Sequence, residues 1–185
     1  MIHFQDISQE DKCYYQIVDP GIYVYFFENK TADITFSIET SHASVWIFGM
    51  YKGKENDHYS LSTKQLHKAS NSSSHLILKS ALEDNSKLIH NAIIRIEKNA
   101  LKTNASLESK HLLLGKGAHA EAQPNLEILA DDVCCSHAVT TSPIHPDSLF
   151  FLNTRGLSYE KAKKLLSKGF LNALQEKMNQ ILEKK

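Results

Sequence analysis

In the first third of the chain, apolar residues come in short runs and alternations, never at helical spacing. Ile22-Tyr-Val-Tyr-Phe-Phe27 is a β-branched and aromatic run that follows the turn signal Asp19-Pro20-Gly21. Ile34, Phe36 and Ile38 alternate with Thr35 and Ser37, the period of two that marks a half-buried strand. Val45-Trp-Ile-Phe48 reads as a third strand, and the polar stretch from Tyr51 to His58 as a surface loop.

From His58 to Thr141 short apolar strands recur at roughly even intervals: Leu76-Ile-Leu78, Ile93-Ile-Arg-Ile96, Leu112-Leu-Leu114 and Leu126-Glu-Ile128. Polar corners separate them, among them Asn71-Ser-Ser-Ser74, Glu83-Asp-Asn-Ser86 and Lys102-Thr-Asn104. Evenly spaced strands without intervening helices predict stacked coils, a β-helix or solenoid. The competing arrangement is a small antiparallel sandwich. Its tight hairpins favour Asn-Gly or Asp-Gly dipeptides, which this chain lacks.

After Thr141 the period lengthens to that of a helix. Pro146 suits the first position of one helix, Gly156 ends it, and Ser158 caps a second. In the second, Ala162, Leu165, Leu166, Leu171, Leu174, Met178 and Ile181 form one apolar stripe. Gly169 interrupts it as a kink or a close-packing point. The expected organisation is an N-terminal β segment over residues 1–57 that starts the same core, a β-helix core over 58–142, and a C-terminal helical segment over 143–185.

Composition narrows the function. The 185 residues carry 21 basic and 21 acidic side chains, a formal net charge of zero. That length fits one domain, and the balance lacks the electrostatic footprint of a nucleic-acid binder. No apolar run approaches the ~18–20 residues of a membrane helix, and the acids in the first twelve residues argue against a secretory leader. Cys13 and the adjacent Cys134 and Cys135 are the only cysteines, which is no disulfide framework. A soluble cytoplasmic protein with reduced thiols is expected, with neither nucleic acid nor membrane as partner.

Candidate chemistry is sparse. The ten histidines show no zinc-like spacing, and most are expected at the surface or in corners. Gly115-Lys-Gly117 lacks the rest of a phosphate-binding loop, and Asp131-Asp132 reads as a solvated turn. Alternate residues of a strand share a face, so Cys135 and His137 point one way, Cys134 and Ser136 the other. Cys134 reads as core packing. Cys135 reads either as a packed small hydrophobe or as a thiol or metal ligand. His137 taken alone reads as a hydrogen-bonded structural histidine.

A longer succession of motifs then bears on identity. It runs Ala100-Leu-Lys-Thr103, Leu112-Leu-Leu114, Pro124-Asn-Leu-Glu-Ile128, and Ala130-Asp-Asp-Val-Cys-Cys-Ser-His137. It continues through Leu149-Phe-Phe-Leu152, Arg155-Gly-Leu157, Ala162 and Gly169-Phe170. This order resembles the core domain of the SufB/SufD family, scaffold subunits of Suf iron–sulfur cluster assembly. The resemblance implies a right-handed parallel β-helix followed by helices, with no ATP hydrolysis by the chain itself. It implies pairing through the β-helix with a SufB-type subunit or with a second copy. It also implies docking of a SufC-type ATPase through the tail, for which Leu157, Tyr159, Leu165 and Phe170 are the candidate contacts. The SufD type fits better than SufB. SufB carries a cluster-linked cysteine six residues before its Pro-x-x-Glu stretch and a glutamate after its histidine; here those positions hold Ala118 and Ala138.

The resemblance gives His137 a role at the interface, with Cys135 as a candidate partner ligand and His119 near the same edge. Two ligands fall short of the four a [2Fe–2S] centre needs, so any iron or cluster would be transient and shared with a partner rather than stably bound. The chain is also shorter than usual members, so an N-terminal helical domain and several coils are expected to be missing. The alternatives are a metal-free homodimeric β-helix interaction protein, and a SufB-like chain that binds iron or a cluster directly.

Overall fold

The structure is a computed structural model that describes residues 1–183; positions 184 and 185, the end of the expected helical segment, lie outside the described residues. Eleven strands come first: β1 (Ile2–Asp6), β2 (Tyr14–Ile17), β3 (Gly21–Glu28), β4 (Ala32–Ile38), β5 (Ala43–Gly53), β6 (His58–His67), β7 (Ser73–Leu82), β8 (Lys87–Ile96), β9 (Thr103–Leu113), β10 (His119–Ile128) and β11 (Val133–Pro143). Two helices follow, α1 (Pro146–Thr154) and α2 (Tyr159–Leu182).

Odd-numbered strands form one sheet in the order β1-β3-β5-β7-β9-β11, and even-numbered strands form a second, β10-β8-β6-β4-β2. All the pairings are parallel. The chain therefore alternates between two facing sheets and advances one strand in each per coil. This is a parallel β-solenoid with a helical tail, and the antiparallel sandwich is excluded. The strand interval in the sequence is half a coil; a whole coil runs from Ala32 to its partner Leu61, or from Thr103 to Val133. Two short strands, β1 and β2, add coils that the sequence pattern did not reveal.

The two sheets have different outer faces, and the sequence shows why. β3 and β5 read as nearly unbroken apolar runs because both of their faces are covered. Inside lies the main core, with Tyr15 stacked on Phe36 at 5.3 Å between ring centroids. Outside, Val24, Phe48, Met50, Ile77 and Ala81 pack against Leu171, Leu174 and Ile181 of α2. Lys79 pins the helix further, its Nζ donating to the Phe170 carbonyl at 2.9 Å and lying over the Phe170 ring. β6 and β8 alternate cleanly because only one face of their sheet is buried.

Corners are shaped by left-handed residues. His42, Asn71 and Lys102 all have φ between 54° and 62° and stack in successive coils, joined by the His42 N–H to Asn71 and Asn71 N–H to Leu101 bonds. In the other corner series Glu55 and Asp84 are left-handed; Gly115 in the next coil is not, and is needed there for close approach, since a Cβ on it would lie 2.3 Å from the Asp84 backbone nitrogen.

Three local expectations need correction. β5 runs on to Gly53, and Tyr51, expected in a surface loop, is fully buried and donates its hydroxyl to the Lys30 carbonyl. Gly169 lies within an unbroken helix with nothing within 4 Å of its would-be Cβ, so it is neither a kink nor a packing point. Leu165 leaves the buried stripe and faces solvent. The helix boundaries do match their signals: Pro146 opens α1 after the His145 cap, Gly156 follows with φ +85°, and Ser158 is the N-cap position of α2.

Candidate functional site

The two ends of the solenoid are built differently. At the start, the loop between β1 and β2 folds over the interior. Ile7 is fully buried there, and the Lys30 ammonium, itself buried, donates to the Ile7 carbonyl at 2.8 Å and to the Glu10 carbonyl. Gln5 and Tyr15 bind the Glu10 carboxylate at 2.8 and 2.9 Å. That end is plugged.

The other end is open. β10 and β11 form the last coil, and their inward residues occupy the same ladders as core residues one coil below. Ile94 is 1% exposed, but its register partner Leu126 is 38% exposed; Ile96 is fully buried, but Ile128 is 40% exposed. Val139 and Leu129 are also exposed on this rim. An apolar interior has simply been cut off.

Cys135 and His137 lie on this rim. Cys135 pairs with Ala105 and His137 with Leu107, both core residues, so both rim side chains belong to the inward face. Cys135 is half-buried and packs on the main core. Burial raises its thiol pKa, opposed by a hydrogen bond with the Ala105 backbone. His137 is exposed. Cys134, expected to pack in the core, is exposed on the outward face because its ladder partner is Asn104, a position that points out. His119 begins β10 at the opposite end of the rim and faces outward near Glu121, so it does not join Cys135 and His137. Among the described residues no three His, Cys, Asp or Glu side chains cluster as a metal site.

Most of the histidines outside the rim were expected at surfaces or corners, yet three fill the interior. His67 bonds Ser72 and Ser74 at 2.8 and 2.7 Å, His90 lies 2.9 Å from Thr63 Oγ1, and His111 lies 2.8 Å from Ser80 Oγ. Desolvation lowers their pKa values to about 4, about 3 and about 4. The signal was present in the sequence: each sits at an inward position of an alternating strand.

On the tail, Tyr159 and Leu165 are exposed, while Leu157 and Phe170 are half-buried. Phe150 and Phe151 of α1, 71% and 55% exposed, extend the apolar surface and were missed as contacts, although the Leu149–Leu152 run contained them.

The model of the SUF system FeS cluster assembly SufBD core domain matches residues 27–170. The chain belongs to the SufBD core domain family. Among curated proteins it is 34% identical over 98 residues to the iron–sulfur cluster assembly protein SufD of Escherichia coli, covering 53% of this chain and 23% of that protein. It is 32% identical over 120 residues to SufD of Bacillus subtilis, covering 65% and 27%. A SufBD family protein of Mycobacterium leprae is 26% identical over 155 residues, covering 79% and 18%. The chain thus spans about a quarter or less of the length of these relatives. The SufBD core match runs from β3 into α2 and includes the whole open rim. Among the described residues no helix is long and apolar enough to cross a membrane.

Proposed function

We propose that this SufBD-core chain is a non-catalytic, SufD-like scaffold subunit of an iron–sulfur cluster assembly complex. It pairs through the open end of its solenoid with a SufB-type subunit or a second copy, and docks a SufC-type ATPase through its helical tail. The observation that supports pairing is the contrast between the ends: one is plugged by a tethered loop, while the other leaves Leu126, Ile128, Leu129 and Val139 in water. An apolar rim of this kind marks an interaction surface. Tyr159, Leu165, Phe150 and Phe151 support the tail as a second surface.

Cys135 and His137 would meet the cluster, as cargo, at the seam between partners. Two donors leave the rest to the partner or to exogenous thiols. A second reading, metal-free pairing, draws support from the Cys135 thiol, which burial biases away from the thiolate that metals require.

The experiment is light scattering after size exclusion, with the chain mixed with the SufB- and SufC-type subunits of the same source. A complex is expected with each. Leu126→Asp/Val139→Asp should abolish the SufB-type or self complex and spare the SufC-type one; Tyr159→Asp/Leu165→Asp, at exposed positions that leave the outer core covered, should do the reverse. Failure of both complexes would sink the proposal. Anaerobic reconstitution of the pair then separates the readings: a chromophore lost in Cys135→Ser favours cargo handling, and a colourless stable pair favours metal-free pairing.

A further inference from the structure

The tail contacts above leave another face of α2 without a role. Lys164, Lys168, Leu171 and Gln175 recur at helical spacing and form one wall of a groove of about 320 Å3. The ends of β5 and β7 form the opposite wall, with Lys52, Lys54 and Glu83 on the rim. Met50 and Ala81 make the floor together with Leu171, all three belonging to the outer core. From Lys164 to Gln175 the helix rises about 16 Å, so the groove runs about that far along α2.

Its charge is one-sided. Lys52 is paired with Glu28 at 2.8 Å. Among the described residues, Lys54, Lys164 and Lys168 have no ion-pair partner, and Glu83 is the sole acid in the lining.

We propose that this groove binds an acidic amphipathic segment of a partner protein. Apolar side chains of the segment rest on Met50, Ala81 and Leu171, and its carboxylates meet Lys54, Lys164 and Lys168. The length suits about three helical turns. A free inorganic anion would gain nothing from the apolar floor, whereas an acidic segment with apolar anchors uses both features, and three uncompensated lysines select it over a basic one. A second copy offers two acid-bearing apolar stretches: Leu126 to Asp132, whose first three residues are bonded into β10, and α1, where Asp147 beside Phe150 and Phe151 is the sole acid, too few to meet three lysines. Such a head-to-tail contact would also propagate rather than close. The proposal stands apart from pairing at the open end.

The test uses labelled peptides of about three helical turns at low salt. One carries glutamates with leucines at i and i+4, one has those leucines changed to serine, and one has the glutamates changed to lysine. The probe is fluorescence anisotropy against the full chain, with far-UV circular dichroism as the check on folding. The acidic leucine peptide should bind saturably in the tens of micromolar and weaken at least tenfold in Lys164→Glu/Lys168→Glu. Lys54→Glu, on the opposite wall, should weaken it as well. The other two peptides should bind at least tenfold more weakly. No saturable binding, or binding untouched by both variants, overturns the proposal. Equal binding of the serine peptide, or displacement by millimolar inorganic phosphate, overturns it in favour of a plain anion site.

Discussion

Acidification from pH 7 to pH 5 should destabilise this fold strongly, because three imidazoles are sealed inside it uncharged. His67 and His90 are fully buried and His111 is 2% exposed. Desolvation holds their folded pKa values at about 4, about 3 and about 4, against 6.5 for the free side chain. Between pH 6.5 and about 4 the unfolded chain therefore binds more protons than the folded one, so stability is complete above 6.5 and drains as pH falls. At pH 5 each histidine is about 1.5 pH units below its unfolded value, a loss of about 2 kcal/mol at 1.36 kcal/mol per unit. The three together lose about 6 kcal/mol, comparable with the whole stability of many domains. His75, half-buried on the outer face, shifts in the same direction. Glu39 and Glu108 have lowered pKa values, so the stability they add disappears only below the ordinary carboxylate range and stays in place at pH 5. Urea denaturation at pH 7 and pH 5 measures the difference. His111→Gln should remove about a third of it. A change under about 1.5 kcal/mol between the two pH values, with an unchanged m-value, would refute the argument.

Three further substitutions follow from the packing. Both side-chain amide atoms of Gln65 are buried without a partner, facing Phe36 and Ile94 along its ladder, so Gln65→Leu should raise stability by about 1–3 kcal/mol in the same denaturation assay. Gly115→Ala drives a methyl into the Asp84 backbone and should lower the thermal midpoint by several degrees. Lys30→Met removes two charge-assisted bonds from the plug; hydrogen exchange should accelerate at residues 7–13 with little change in β9.

The coils were legible because their inward positions alternate with polar ones, and the tail because its stripe steps by three and four. Three features escaped for physical reasons. β1 and β2 are four or five residues long and their hydrophobic signal is diluted by polar edge positions such as His3, Gln5 and Gln16. The buried histidines looked like surface residues because composition does not say that Ser72, Ser74, Ser80 and Thr63 wait across the interior to bond them. Cys134 looked apolar enough for the core, but strand phase decided its face: Ala105, not Asn104, is the inward residue of the rung. At the rim, the shared face of Cys135 and His137 could be read from alternation alone. That they end an unfinished coil could not, because exposure there depends on which strand has no successor.

Which edge does the pairing is the step that joins fold to function. Both β10 and β11 are terminal strands, and an unpaired strand invites another chain unless charge or proline blocks it. β10 is blocked: Pro124 lacks an N–H, and Glu121 and Glu127 flank it. β11 from Val133 to Ser142 contains no Pro, Lys, Arg, Asp or Glu. The proposed pairing therefore runs through β11, extending the six-stranded sheet into the partner and bringing Cys135 and His137 to the seam. Lysines at the outward positions Ser136 and Ala138 would guard this edge as natural edge strands are guarded, without entering the interior. Ser136→Lys/Ala138→Lys should convert the pair to a folded monomer by light scattering, while Gln123→Lys on β10 leaves it intact. If the β10 variant alone dissociates the pair, the partner lies on the other sheet and Cys135 and His137 lose their place at the interface.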